Sequence, residues 1–335
     1  MAQVATLQEM SLAQPKGMAE ELMQVQCYTS VSEFMRDAEP IFADREAEHS
    51  VMIGVLGNLQ KDMNFYNVEP ELLALRSGSG SPVLVACMVH PFPLVLSLTA
   101  PETSEDVQGA LKCLAGYVGS VLIEKRLFPV KIVGHPDLVD FLSAQLCGSG
   151  CPRLKPGLRM QFFRLNPDAL QEPRLRLEDD PSLTARRYEP ERDAGWIRQW
   201  VHQFHVDAMG YAQDHMVENH LSELARLPTE ARGMFLLFKG DEFVSYAGYG
   251  GATANTMRVT GVFTAPDFRG RGYGQLACWY ACRYLLTPVE AKGLGRTALV
   301  IAANASKSSV MGIYKRLGFA ETTQFQEYVD EACAS

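Results

Sequence analysis

Between Phe268 and Gly274 the sequence reads FRGRGYG, and an apolar segment follows directly. Glycine at every second position (Gly270, Gly272, Gly274) lets the backbone bend tightly and leaves its N–H groups uncovered. Such donors, converging ahead of a helix N-terminus, make an anion site. Arg269 and Arg271 add charge suited to a diphosphate. A Walker loop requires Gly-x4-Gly-Lys-Ser/Thr, but Gln275 and Leu276 follow Gly274. A dinucleotide loop requires Gly-x-Gly-x-x-Gly, and here the third glycine comes one residue early. The acidic residue at the matching distance, Glu290, follows Pro288 near a helix end and not at a strand end. On the loop alone, an anion cradle and a tight strand-to-helix turn with two solvated arginines both stand.

The surroundings of the loop carry more. Arg269, Gly272 and Gly274, with Pro266 upstream, fit Arg/Gln-x-x-Gly-x-Gly/Ala. Downstream come Asn304 and then Tyr314-Lys-Arg-Leu-Gly318-Phe319. Taken together and in this order, over roughly residues 183–330, these segments resemble the acyl-CoA-binding signatures of the GNAT superfamily of N-acetyltransferases. The resemblance implies acetyl-CoA as co-substrate, with no metal. It implies that the strand Val262-Phe263-Thr264 splays from its neighbour and lends backbone groups to the pantetheine arm. Amides of Gly270, Arg271, Gly272, Tyr273, Gly274 and Gln275 would hold the pyrophosphate, and Asn304 would contact the cofactor near the pantetheine. Acyl transfer from a thioester needs a neutral amine, a stabilised oxyanion and a protonated leaving thiolate. Tyr314 matches the family's general acid. On its own it reads first as part of the apolar stripe with Val310, Ile313 and Leu317, and the Asn304 and Gly318-Phe319 context turns the reading to the acid.

No carboxylate lies in the strand Thr256–Thr264, a departure from the pattern in which a strand carboxylate serves as general base. Asp207, His205 and Glu218, with His220, fall in the helical region that shapes the acceptor pocket by resemblance, and they are the base candidates. Taken singly, each reads first as a solvated surface group.

The elements that position these residues follow from periodicity. Leu183–Tyr188 reads as a strand, Asp193–Val206 and Met216–Leu227 as helices, and 234–238 with 243–249 as a hairpin turning at Gly240. Thr256–Thr264 is a strand, Ala277 to Leu285 lie on one face of a helix, Thr297–Ala303 is a buried strand, and Ser306–Leu317 is a helix capped by Ser306 and stopped by Gly318. The first half repeats the order: helices within Val31–Leu59, strands at 72–76 and 82–89, an apolar run at 94–98, then a helix at 105–124, a strand at 130–133 and a helix at 135–146. Its counterpart to the glycine loop, TSEDVQGALK, is acidic where a pyrophosphate would bind.

The expected fold is therefore α+β: tandem GNAT-like domains, each a mixed, mostly antiparallel sheet flanked by helices. Residues 1–25 are expected to be a flexible arm, 26–170 a degenerate GNAT-like domain, and 180–335 the catalytic domain, with an exposed connection at 167–181. The degenerate half would close the acceptor pocket and bury a sheet edge.

Bulk properties agree with two domains, since 335 residues exceed one ordinary core. The net charge of −8 argues against a nucleic-acid partner and disfavours an aminoacyl-tRNA donor. No run approaches a membrane span and no signal sequence opens the chain, so a cytoplasmic location with reduced cysteines is expected. Cys147/Cys151 and Cys278/Cys282 share an i, i+4 spacing, but neither pair has a second pair to complete a zinc site. The leading expectation is an acyl-CoA-dependent N-acetyltransferase acting on a primary amine of a small molecule or peptide. A non-catalytic CoA-binding scaffold and an acyltransferase with a different acyl donor are the alternatives.

Overall fold

The structure, a computed structural model, describes residues 23–43, 45–77, 80–90, 92–98, 104–129, 131–147, 151–209, 212, 214–226 and 230–331. In chain order the first elements are β1 (Met23–Tyr28), α1 (Val31–Phe42), α2 (Ser50–Lys61), β2 (Glu71–Ser77), β3 (Leu84–Met88), β4 (Leu94–Leu98), α3 (Glu105–Tyr117), β5 (Lys131–Gly134), α4 (Pro136–Cys147) and β6 (Leu154–Leu165). They are followed by β7 (Leu183–Arg187), α5 (Pro190–Met209), α6 (Asp214–Arg226), β8 (Gly233–Lys239), β9 (Glu242–Gly250) and β10 (Thr256–Thr264). The chain continues through α7 (Tyr273–Leu286), β11 (Ala298–Asn304), α8 (Ser308–Arg316) and β12 (Ala320–Asp330). Chain packing divides at 159/160 and at 323/324 into two compact units, the first formed by the chain up to Arg159 with Gln324 onward, the second by Met160–Thr323.

In the first unit, antiparallel pairs join β1 to β2, β2 to β3 and β3 to β4, and β4 runs parallel to β5 through Leu94↔Ile132 and Val95↔Val133. The far side of β5 is taken by Gln326–Val329 of β12, antiparallel. Two apolar clusters follow from the strand alternation. One packs Leu73, Leu75, Leu84 and Ala86 against Leu111 and Leu114 of α3 and Leu142 of α4. The other packs Leu72, Ala74, Val85 and Cys87 against Phe34 and Ile41 of α1 and Leu56 of α2. Adjacent strand residues point to opposite faces, so each sheet face gets its own helices. Ser30 and Ser104 start α1 and α3 by accepting the amides of Glu33 and Val107. The expected two-strand hairpin, helix, strand and helix are all present here. Of TSEDVQGALK, the counterpart of the glycine loop, Thr103 lies outside the described residues, and 104–112 form the cap and first turns of α3.

In the second unit the strand order is β6-β11-β10-β9-β8-β7. Every pair is antiparallel except β10 with β11. Its helices also sort by face: α7 and Tyr314 of α8 join the cluster of Met257, Val259, Leu299 and Ile301, whereas α5 and α6 join that of Leu236, Tyr246 and Phe263. The β8–β9 hairpin turns at Gly240 as the glycine suggests, with φ of 60°. Asp193 anchors the start of α5: both its oxygens accept from the Arg186 guanidinium, at 2.6 and 2.7 Å, and it also accepts the Glu189 amide at 2.9 Å. Burial pushes this carboxyl up, but these partners hold it below its ordinary value.

Several expectations differ from what is seen. Residues 1–22 lie outside the described part, but Met23–Val25, assigned to an arm, belong to β1, because MQVQCY alternates and pairs with β2. The division between units does not fall at 167–181. It passes through β6 at Arg159, and residues from Gln324 onward join the first unit and not the second, since β12 completes the edge of β5. Ser306 does not cap α8, whose first residue is Ser308. Its amide and hydroxyl instead donate to Asn304 Oδ1, at 3.0 and 2.8 Å. Gly318 does end the helix, at φ of 95°.

Candidate active site

The site is built where β10 parts from its neighbour. The parallel ladder to β11 covers only Thr256↔Ala298, Met257↔Leu299 and Arg258↔Val300. Beyond it, β11 continues on β6 to Asn304, while β10 continues on β9 to Thr264. A bulge lies at Gly261 (φ 51°), where the β9 register jumps between Thr260 and Val262. The two strands thus form a fork whose β10 arm ends in Val262, Phe263 and Thr264. The end of that arm is braced by Ser245, whose hydroxyl donates to the Phe263 carbonyl at 2.6 Å and lies 3.1 Å from Thr264 Oγ1.

The glycine loop follows. Gly270 and Gly272 both lie in the left-handed region, with φ of 77° and 90°. Gly272 is the residue before the first turn of α7, so the amides from Gly272 onward open the helix. At Gly274 a Cβ would sit 2.8 Å from Thr264 Oγ1, so glycine there permits the helix start to close on the fork. Tyr273 turns inward to the core and lies 6.0 Å from the Phe268 ring, while Arg271 lies 5.7 Å over Phe268 at the surface. A helix N-terminus with no side-chain cap among the described residues, after two left-handed glycines, fits a diphosphate.

The Arg269 side chain already has partners. Its Nε donates to the Thr264 carbonyl at 3.1 Å, its guanidinium stands 5.6 Å over the Phe263 ring, and its Nη2 pairs with Asp207 Oδ2. Asp207 also accepts Gln203 Nε2 on Oδ1 at 3.0 Å, and its backbone carbonyl accepts Lys307 Nζ. Sequence reading missed Lys307 and Gln203 altogether. It also missed Gly261, although a glycine inside a strand pattern signals a bulge.

The other base candidates separate. Glu218 is exposed and pairs with Arg198. His205 is buried, and neither ring nitrogen has a hydrogen-bond partner among the described residues. Desolvation, with a contribution from His202, lowers its pKa, so the ring is neutral at pH 7. His220 stands edge-on to it at 6.0 Å and is held down to about 3 by burial, Arg232 and His205. Tyr314, from α8, is buried between Phe163 and Phe319, with ring centroids at 5.9 and 6.1 Å. Burial, with Cys278 and Cys282 nearby, pushes its phenol well above the ordinary tyrosine range. Among the described residues no cluster of three His, Cys, Asp or Glu side chains is placed to hold a metal ion, and no helix is long and apolar enough to cross a membrane.

Comparison with known proteins bears on this geometry. A family model described as Acetyltransferase (GNAT) family matches residues 196–319. No curated protein matches the chain. Among solved structures, a Drosophila protein superposes with a TM-score of 0.60 at 12% identity, covering 91% of this chain and 98% of its own. A tandem GNAT protein from the clavulanic acid biosynthesis pathway gives 0.57 at 11% identity, covering 93% and 99%. A GCN5-related N-acetyltransferase from Sphaerobacter thermophilus gives 0.56 at 14%, covering 92% and 95%. At these identities the likeness is one of fold. Residues 196–319 thus match the GNAT acetyltransferase family model, and the chain as a whole has the α+β fold seen in tandem GNAT proteins.

Proposed function

We propose that the unit Met160–Thr323 is an acyl-CoA-dependent N-acyltransferase that moves acetyl from acetyl-CoA to the primary amine of a small molecule or peptide. The observation that carries this reading is the coincidence of the β10–β11 fork with a glycine-opened helix N-terminus at its mouth. Acetyl-CoA supplies an activated thioester carbonyl. The amides of Gly270–Gln275 hold the diphosphate, and the backbone of Val262–Thr264 orients the arm along the fork. Asn304 Oδ1 accepts within its own turn, so in this reading the amide Nδ2 would be the group that contacts the cofactor.

Tyr314 is the proton donor to the departing sulfur. The phenol is protonated at neutral pH, and the burial that raises its pKa makes it a weaker acid than an exposed tyrosine. Of the base candidates, His205 suits the role best. It is neutral and its nitrogens are uncommitted among the described residues, whereas Asp207 and Glu218 are each engaged by an arginine. The test is release of free thiol from acetyl-CoA across a panel of amines, with wild type against Tyr314→Phe. Turnover on at least one amine, reduced in the variant, is expected. Saturable binding without turnover on any amine would instead support a CoA-binding protein with no transferase activity.

A further inference from the structure

Asp207 occupies the last turn of α5, a helix with no basic residue in that turn. A carboxylate there meets the negative end of the helix dipole, and the last carbonyls have no partner within the helix. Both needs are met from other segments. Arg269, after β10, pairs with the Asp207 carboxylate, and Lys307, after β11, donates to the Asp207 carbonyl. One residue of α5 is therefore tied to the loops that follow both arms of the fork. The direction of Arg269 is informative. Besides the Thr264 carbonyl, its partners are Asp207 of α5 and the Phe263 ring, which packs with α5 and α6. The amides that open α7 belong to a helix packed on the other face of the sheet.

We propose that Asp207 is an internal counter-anion for Arg269, holding the guanidinium on the α5 side until the diphosphate of the acyl-CoA competes for it. The inference rests on the reading of Gly270–Gln275 as the diphosphate cradle. Asp207 is thus a positioning residue and not a base. Both carboxylate oxygens are already accepting, from Arg269 and from Gln203. Transfer of Arg269 to the diphosphate leaves Lys307 as the tie, among the described residues, between Asp207 and the loops that follow the fork. Phe204 and His205 lie within one turn of Asp207, so occupancy of the cofactor site reaches the helix that carries the base candidate.

The experiment is titration calorimetry on the full chain with CoA and, separately, with pantetheine, which lacks the diphosphate. Asp207→Asn removes the competing charge from a half-exposed pair, so CoA is expected to bind about three- to fivefold tighter, with pantetheine unchanged. In an Arg269→Gln background the same substitution should have no further effect on CoA affinity. Should the asparagine variant not fold, Asp207→Ala gives the same readout. Wild-type binding with unchanged or weaker affinity in the Asp207 variant overturns the counter-anion while leaving the cradle intact. Absence of CoA binding by wild type overturns the cradle and the counter-anion together.

Discussion

Phe204 of α5 lies directly on Gly261 of β10: a Cβ built at the glycine would meet two ring carbons at 3.3 Å. The contact sits at the bulge that re-aims Val262–Thr264 just past the point where β10 and β11 part. The φ of 51° and the facing ring both call for glycine. Gly261→Ala is expected to lower the unfolding free energy by about 1–2 kcal/mol, measured by urea denaturation. Combining it with Phe204→Ala removes the steric part and leaves the backbone part, so the double variant should be more stable than the sum of the singles. Strict additivity would show that the ring contact is unimportant.

The ion pair at the start of α5 should dominate local stability. Asp193 is fully buried and meets Arg186 through two hydrogen bonds. Asp193→Ala leaves the guanidinium without its partner, and a loss of about 3–5 kcal/mol is expected by chemical denaturation. A loss below about 1 kcal/mol would place this pair among ordinary surface ion pairs.

His49 gives the first unit a definite response to acid. It is buried, its Nδ1 lies 3.0 Å from Ser97 Oγ, and burial together with Arg45 lowers its pKa from 6.5 to about 4. The unfolded chain therefore binds the proton more readily. Stability from this group is fully present above pH 6.5 and is lost as pH falls toward 4, by about 3 kcal/mol in total. His49→Gln should remove that slope between pH 6.5 and 4. An unchanged slope would assign the acid response elsewhere.

For catalysis, the pKa directions fix the shape of the pH profile. His205 titrates below its ordinary value, so the acidic limb of kcat/KM should lie below pH 6.5 and disappear in His205→Ala. The residual rate should fall by about 10²-fold. Tyr314 ionises above the ordinary range, so Tyr314→Phe should lower kcat without moving an alkaline limb below pH 10. A profile identical in shape and height in His205→Ala would remove that residue from the reaction.

Much of the second unit could be read from residue types. Gly270 and Gly272 mark left-handed backbone, and the alternation in TMRVTGVFT fixes β10 to its observed ends. The misplacements have a common physical origin. β1 and β12 are short or polar strands that exist because an edge of a sheet needs a partner, and that need is set by residues far away in sequence. The site was legible in the same uneven way. The glycine loop is local, so its left-handed backbone follows from its own spacing. Asp207 acquires its role only from Arg269 and Lys307, which lie 62 and 100 residues further along. Periodicity also could not show that His205 is buried without partners while Glu218 is exposed and paired.

In the proposed reading the amides of Gly270–Gln275 hold the diphosphate of an acyl-CoA. The most direct test of that reading is the dissociation constant of acetyl-CoA for the full chain, wild type against Gly272→Asp. The aspartate would place a carboxylate at the first amide of α7 and force a side chain into a φ of 90°. One saturable site in the wild type, lost in Gly272→Asp, is the expected result. A folded Gly272→Asp variant with the wild-type dissociation constant would contradict the account and reduce FRGRGYG to a turn.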